Sequence, residues 1–289
     1  MAVRAAVEAL LRERKLDRTL TSTLPERLGE DAVAPLDVPI LDRAIAGRNG
    51  LQGNAAGGGL PRGQVSEVVG PSSSGRTSVA WAALAAATRR GESVALVDTF
   101  DRFDPPTACA GGMDLSRLLW VRGQAVSKTS GAIDPAWLPG VRAVNGPGTF
   151  IERVIDRAIK SLNLVVQSGV CTLVVIDLID VPAIALRRVP AATWFRIERA
   201  IEGSDTAVLI LAAQPVARSA GGRSMVMEGR NQESGIGKQE SGNGNQVIWK
   251  GDHDRSRRVA GVRTRVTVNA ARWSNGPAID TDTTLINAV

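Results

Sequence analysis

The sequence predicts an α/β protein: a mostly parallel central sheet flanked by helices, a short N-terminal helix, and a flexible, basic segment towards the C-terminus. Uninterrupted Val/Ile/Leu strands alternate with helical segments through the middle of the chain, a pattern typical of a parallel sheet covered on both faces. The chain has 289 residues, of which 44% are hydrophobic. That length is enough for one large domain with appendages.

The first predicted element is an amphipathic helix near the N-terminus. Val3, Val7, Leu10 and Leu11 recur at helical spacing beside a charged run. Such a helix either folds back on the body of the protein or packs against a second copy of the chain, and the residues leave both arrangements open. We divide the chain into residues 1–35 (helix and linker), 36–217 (core), 218–261 (flexible basic Gly/Ser-rich loop) and 262–289 (returning strand and tail).

The core elements follow in alternation. The strand-like segments are "QVSEVVG" (64–70), "SVALVD" (93–98), "RLLWVR" (117–122), "CTLVVID" (171–177) and "AVLILAAQ" (207–214). The helical segments are residues 76–91, the stretch opened by a capping box at Thr149 and Glu152, and residues 192–203. Residues 221–246 are rich in Gly, Ser, Asn and Gln, which predicts a long mobile loop, and residues 265–273 alternate like a returning strand.

Composition excludes several classes of protein. No apolar run approaches the ~20 residues of a membrane span, and the N-terminus mixes charges of both signs, unlike a signal peptide. These features predict a cytoplasmic protein without a membrane partner. Cys109 and Cys171 lie far apart and lack a CxxC partner, which argues against a zinc site and indicates buried thiols. The single histidine, His253, lies in a charged polar stretch, so a Ser–His or Cys–His hydrolase is excluded.

"GPSSSGRTS" (70–78) matches the phosphate-loop pattern G-x-x-x-x-G-K-[ST] at all but one position. Gly70 and Gly75 permit tight turns, and Thr77 is placed to offer its hydroxyl to Mg²⁺. The loop follows a strand and opens a helix, so backbone N–H groups converge on one anion. The nucleotide-binding residues predicted from the loop are Gly70, Ser72, Ser73, Ser74, Gly75, Arg76, Thr77 and Ser78.

Arg76 is the exception, because lysine is usual at this position. Lysine reaches phosphate as a slim point charge, whereas the arginine guanidinium is longer, planar and forked. Arg76 either binds phosphate from a displaced position or fills the cradle and blocks it. The residues therefore leave the binding of ATP and Mg²⁺ open.

The segments "GGGLPRGQVSEVVGPSSSGRTS" and "VDTFDRFDP" (97–105) resemble bacterial RecA, with similarity from about Leu41 to Gln214. The resemblance implies a RecA-like core and adds two site residues. Asp177 stands where the family has the aspartate that orders Mg²⁺, so Thr77 and Asp177 are the predicted metal ligands. Gln214 stands where the family has a glutamine that senses the γ-phosphate.

Phe100 stands where the resemblance places the family's catalytic glutamate. Phenylalanine can neither accept a proton nor orient water, so we do not expect efficient ATP hydrolysis. Asp98, Asp101 and Asp104 lie nearby as alternative carboxylates, but a carboxylate displaced by a residue points elsewhere. The sequence therefore indicates a degenerate ATPase rather than an active one.

The segments "SSSGRTSVAWAALAAATRRGESVALVDTFDRFDP", "LSRLLWVRG" and "PVARSAGGRS" resemble the ImuA family, RecA-like proteins of bacterial mutagenic repair operons that are not recombinases. This resemblance implies an adaptor in SOS-induced translesion synthesis, with an ImuB-type protein, an error-prone polymerase and RecA as partners. An active single-stranded-DNA-dependent ATPase of the recombinase type is the alternative. A switch that binds ATP without cleaving it is a third.

The net charge of +6 is concentrated on one segment. Residues 218–273 hold eleven Lys/Arg and five Asp/Glu, so the rest of the chain is neutral overall. Such an excess indicates an anionic partner, most simply single-stranded DNA. Interspersed glutamates favour docking to a protein partner slightly over direct DNA contact. The candidate contacts are Arg218, Arg223, Trp249, Arg255, Arg257, Arg258, Arg263 and Arg265.

Overall fold

The computed structural model describes residues 32–50, 58–123, 150–217, 221–228, 246–250, 258–270 and 278–284. The predicted N-terminal helix and Thr149 of the predicted capping box lie outside these ranges. The helices are α1 (Pro39–Gly50), α2 (Arg76–Arg89), α3 (Pro105–Ala110), α4 (Phe150–Ser168), α5 (Ala183–Leu186) and α6 (Ala191–Ile201). No described helix has both the length and the apolar character needed to span a bilayer.

Eleven strands are described. They are β1 (Val33–Ala34), β2 (Leu60–Pro61), β3 (Val65–Val69), β4 (Val94–Asp98), β5 (Leu118–Arg122), β6 (Leu173–Asp177), β7 (Ala207–Ala212), β8 (Arg223–Met227), β9 (Gln246–Lys250), β10 (Arg258–Ala270) and β11 (Ala278–Thr284). The first two form a small antiparallel pair. The other nine form one sheet in the order β11-β10-β8-β3-β7-β6-β4-β5, with β9 paired to β10.

The sheet is parallel from β5 to β8 and antiparallel around β10. The parallel strands β3, β4, β6 and β7 are buried on both faces, which explains their mostly apolar sequences. In β6, Val174 and Ile176 pack towards α4 and α6, whereas Leu173 and Val175 pack towards α1 and α2. The predicted α/β class, with helices on both sides of a mostly parallel sheet, is confirmed.

Two predictions from the sequence are wrong in part. Residues 221–246 are not loop throughout, because β8 pairs with β3 and β10 in the middle of the sheet. The low apolar content of this stretch hid a strand whose inward residues are Met225 and Met227, each almost fully buried. The predicted loop 218–261 also contains β9 and the start of β10. Cys109 is exposed rather than buried, and Cys171 is buried as expected.

Candidate nucleotide site

The phosphate loop connects β3 to α2 at the carboxyl edge of the parallel strands. Gly75 precedes the helix with φ 91° and ψ 6°, in the left-handed region. Gly70 has φ 157°, and a Cβ there would lie 2.5 Å from the carbonyl oxygen of Met227 on β8. Because only glycine fits this close approach without strain, the two glycines hold the loop in the compact form that a phosphate cradle requires.

A cavity of about 420 Å³ opens over this loop. Residues 72–78 of the loop line it together with Trp81, Asp98, Arg102, Phe103, Asp177, Ile179, Asp180 and Thr264, among others. The structure therefore brings together seven of the eight predicted loop residues and Asp177. Gly70 does not line the cavity and instead packs against Met227 of β8.

Arg76 is turned into the protein. Its side chain is 4% exposed, and its Nη1 donates a hydrogen bond to the carbonyl oxygen of Ala212 at 2.7 Å. Burial lowers the pKa of the guanidinium, which Asp177 and Asp180 partly offset by their charge. The guanidinium of Arg76 nevertheless stays charged at neutral pH. The usual lysine position therefore carries a cation that holds the end of β7 to α2.

Asp177 ends β6 directly opposite Asp98 of β4. Its Oδ1 accepts a hydrogen bond from the backbone N–H of Ile179 at 2.9 Å. Burial raises the pKa of Asp177 to about 6, and the charges of Asp98 and Asp180 act in the same direction. The group is therefore mostly ionised at neutral pH.

The donor set fits a magnesium nucleotide. Mg²⁺ commonly takes one or two carboxylates, phosphate oxygens and water rather than a full protein cage. Asp177 and the exposed Thr77 would hold it, and Mg²⁺ would neutralise phosphate charge there. Among the described residues, no group of three or more His, Cys, Asp or Glu forms a metal cluster. The hydroxyl of Ser74 lines the cavity, is fully buried and has no hydrogen-bond partner among the described residues, as expected where a ligand supplies one.

Phe100 faces away from this cavity. It is 3% exposed and packs in the hydrophobic cluster formed with α4, which contains Ile151, Val154 and Ile155. It is absent from the cavity lining. The position that the resemblance assigns to a catalytic glutamate is therefore part of the core.

The three nearby carboxylates already accept hydrogen bonds from residues of the turn after β4, of β5 or of α3. Asp98 accepts hydrogen bonds from the backbone N–H groups of Arg102 and Phe103, both at 2.8 Å, and from Trp120 Nε1 at 3.1 Å. Asp101 forms a bidentate pair with Arg122 at 2.8 and 2.7 Å. Asp104 accepts from the hydroxyl of Thr107 at the start of α3. Of the three, only Asp98 lines the cavity.

Gln214 lies after β7 and is exposed. Its Oε1 accepts a hydrogen bond from Arg187 Nη2 at 3.1 Å, and it does not line the cavity. The structure therefore does not bring this predicted γ-phosphate sensor together with the phosphate loop.

The predicted DNA or partner contacts do not form one described cluster. Arg223 is half-buried on β8, where its guanidinium donates to the carbonyl oxygens of Ile45 at 2.9 Å and Gly221 at 3.0 Å. Burial lowers its pKa. Because these carbonyls engage Nε and Nη1, Arg223 has a bonding role within the fold. This role was not predicted from the sequence, because β8 was not predicted.

The other predicted contact residues lie on β9, on β10 or outside the described ranges. Arg263 on β10 is exposed, and Arg265 forms an ion pair with Asp280 of β11 at 3.0 Å. Arg258 and Trp249 lie on the paired strands β10 and β9, with Trp249 opposite Val259. Arg218, Arg255 and Arg257 lie outside the described residues.

Glu67 is a buried acidic residue beside the site that was not predicted from the sequence. It lies in the middle of β3 and is 4% exposed. It accepts hydrogen bonds from the backbone N–H groups of Val216 and Ala217, at 2.9 and 3.1 Å, and from the hydroxyl of Ser224 at 2.8 Å. Burial raises its pKa. The single charge inside the otherwise apolar "VSEVV" was the signal that could have identified it. It ties the strand that enters the phosphate loop to the segment after β7.

Comparison with known proteins finds similarity to RecA. Residues 15–130 match the family described as the RecA N-terminal domain. RecA of Salinispora tropica is 33% identical over 169 residues, which cover 57% of this chain and 40% of that protein. RecA of Chlorobaculum tepidum is 42% identical over 93 residues, 32% of this chain and 26% of that protein. RecA of Nostoc punctiforme is 51% identical over 65 residues, 22% of this chain and 18% of that protein.

The chain thus spans two-fifths or less of the length of these three RecA proteins. The matched residues 15–130 include β3, the phosphate-loop sequence and the turn after β4, which supply part of the cavity lining. Together with the sheet order and the loop geometry, they support a RecA-like protein.

Proposed function

We propose that this chain is a RecA-like accessory protein of the bacterial DNA damage response and not a recombinase. In this proposal it supports SOS-induced, error-prone translesion synthesis as an adaptor for an ImuB-type protein and an error-prone polymerase, with RecA as a further partner. The observation that carries the proposal is the burial of Phe100 in the core, at the position of the family's water-activating glutamate.

The rest of the site supports the same interpretation. Asp101 and Asp104 are engaged in the turn, and both oxygens of Asp98 accept hydrogen bonds. Asp101 and Asp104 do not line the cavity, so they are not placed to take a proton from water there. The charge of Arg76 is directed at a backbone carbonyl. The site therefore has the shape of a nucleotide pocket without the groups that efficient hydrolysis requires.

The partner proposal rests on charge. Outside residues 218–273 the chain is neutral overall, so the positive excess lies on the part that follows β7. Glutamates between the basic residues favour a protein surface over a bare phosphate backbone. Direct binding of single-stranded DNA is the second candidate for the same segment, and it would weaken steeply with salt.

The first test is phosphate release from the purified chain with ATP and Mg²⁺, with and without single-stranded DNA, beside a RecA protein as positive control. We expect a rate close to the buffer background under both conditions. DNA-stimulated hydrolysis that Asp177→Asn abolishes would overturn the proposal. It would favour the alternative, an ATP-dependent, single-stranded-DNA-binding ATPase of the recombinase type, which the glycines of the phosphate loop and Asp177 support.

The second test is co-purification of the full chain with an ImuB-type protein. We expect a complex that survives nuclease treatment, because the contact is between proteins. Failure to recover a complex with ImuB, with the chain folded by circular dichroism, would argue against the adaptor role independently of the ATPase result.

A further inference from the structure

We propose that Arg102 is the cation that binds the terminal phosphate of a nucleoside triphosphate in this cavity, in place of the side chain at position 76. The proposal deepens the proposed function, since it names the ligand class of the same pocket. Three observations carry it: the direction of Arg76, the bonding of Arg102, and the buried hydroxyls without a described hydrogen-bond partner that line the same cavity.

Position 76 does not supply the phosphate cation in this arrangement. The guanidinium of Arg76 is 4% exposed, and its Nη1 is held by the carbonyl oxygen of Ala212 at 2.7 Å. To reach phosphate it would have to leave that carbonyl buried and unpaired, which costs free energy. A phosphate bound in this loop would still need a cation, because the backbone N–H groups of the loop carry only partial charges.

Arg102 stands in the same cavity with hydrogen-bonding capacity to spare. Its Nε and Nη2 are buried and make no hydrogen bond to any described residue. Nε lies 3.3 Å from Asp180 Oδ2, an ion pair without hydrogen-bond geometry. The backbone N–H of Arg102 is fixed to Asp98 at 2.8 Å, so the side chain starts from a rigid point. Buried guanidinium N–H groups left in this state indicate a missing acceptor.

Two orphan hydroxyls line the cavity as well. Ser74 of the phosphate loop is fully buried and Thr264 of β10 is 1% exposed, and neither hydroxyl has a hydrogen-bond partner among the described residues. Hydroxyls and a guanidinium fork together suit the oxygens of a phosphate group. Few other buried side-chain atoms of the described chain lack a partner, so their concentration here points to a ligand.

The acidic residues narrow the ligand class. Asp98, Asp177 and Asp180 line the same cavity and repel a free anion. A polyphosphate that arrives with its magnesium ion avoids this repulsion, because the cation meets Asp177 while the far phosphate meets Arg102. The ligand that fits is therefore a magnesium-bound nucleoside triphosphate, whose terminal phosphate a diphosphate lacks.

The test is isothermal titration of the full chain with ATP and with ADP, each with Mg²⁺. We expect wild-type protein to bind ATP more tightly than ADP. Arg102→Gln should weaken ATP binding about ten-fold or more and ADP binding much less. Arg102→Lys should recover part of the loss, and Asp180→Asn, which removes the competing carboxylate, should strengthen ATP binding.

Arg117→Gln is the matched control, because Arg117 is an arginine that pairs with the exposed Asp114 and does not line the cavity. It should leave both affinities unchanged, and thermal melts should show that all variants fold. Equal ATP affinities for wild type and Arg102→Gln would overturn the inference. No ATP binding by the wild type would also overturn it, whereas the adaptor role is decided by the ImuB co-purification.

Discussion

Two turns at the carboxyl edge of the sheet contribute to the same cavity and differ in how well they match a nucleotide site. The phosphate loop after β3 has left-handed Gly75 and the close approach of Gly70 to β8. The turn after β4 places Phe100 in the core and engages its carboxylates in local bonds. The backbone geometry of the first turn matches the phosphate-loop pattern, whereas the second turn has phenylalanine where the resemblance places a catalytic glutamate.

The largest effect is expected at Phe100, because its ring is buried in the hydrophobic core. Phe100→Ala should lower the free energy of unfolding by about 4 kcal/mol, since it removes a buried aromatic ring and leaves a cavity. Phe195→Ala is the matched control: this ring is 56% exposed, so its loss should cost less than about 1 kcal/mol. Urea denaturation compares the two. Equal small losses would show that Phe100 is not packed as described.

The next effect tests the backbone of the phosphate loop. Gly70→Ala should cost about 3 kcal/mol, because the new Cβ would lie 2.5 Å from a backbone oxygen in a conformation that L-residues rarely adopt. Gly203→Ala is the control: it has φ 71° but no atom within 4 Å, so it should cost about 1 kcal/mol. A Gly70→Ala protein as stable as Gly203→Ala would mean that the loop is not clamped against β8.

The sequence predicted the first turn well and the second only in part. Glycine spacing determines a phosphate loop locally, so the pattern at Gly70 and Gly75 was sufficient. The direction of a side chain depends on distant packing, so the sequence could not show that Arg76 reaches the carbonyl of Ala212, 136 residues away. The same holds for Gln214, which pairs with Arg187 rather than lining the cavity.

The antiparallel half of the sheet was harder to predict than the parallel half. Strands buried on both faces are continuous apolar runs, so β6 and β7 were evident from composition. β8 is short, begins with Arg223 and Ser224, and lies within a Gly/Ser-rich stretch, so its two buried methionines gave too weak a pattern. Glu67 accepts a hydrogen bond from Ser224 of β8, and Arg223 of β8 donates one to the carbonyl oxygen of Ile45. Because β8 was not predicted, neither contact was predicted.

A smaller effect depends on pH and concerns two glutamates, one in β3 and one just before β4. Burial raises the pKa of Glu67 in β3. For Glu92, just before β4, burial acts in the same direction, but hydrogen bonds from Arg90, Thr172 and Arg62 outweigh it and lower the pKa. A raised carboxyl pKa gives stability that is present below the ordinary value of 4.5 and lost as pH rises through the folded value. A lowered pKa gives stability present above 4.5 and lost as pH falls through the folded value.

Glu67→Gln and Glu92→Gln should therefore respond to pH in opposite directions. As pH rises from 4 to 7, the stability of Glu67→Gln relative to wild type should increase, and that of Glu92→Gln should decrease. Urea unfolding at intervals across this range measures both. Parallel trends for the two variants would show that one of the two environments is misassigned, and a flat Glu67→Gln series would show that Glu67 is not desolvated.

The smallest effect is expected at Asp101, the carboxylate next to Phe100. Its bond to Arg122 lies at the surface, and Asp101→Asn keeps one acceptor for that guanidinium, so stability should hardly change. Background phosphate release should also stay the same, because Asp101 does not line the cavity. Asp98→Asn is the informative partner: its carboxylate accepts three hydrogen bonds that shape the turn, so its loss should destabilise the protein measurably. If phosphate release fell in Asp101→Asn but not in Asp98→Asn, Asp101 would act as a catalytic base. The turn after β4 would then no longer lack the chemistry that the comparison with the phosphate loop says it lacks.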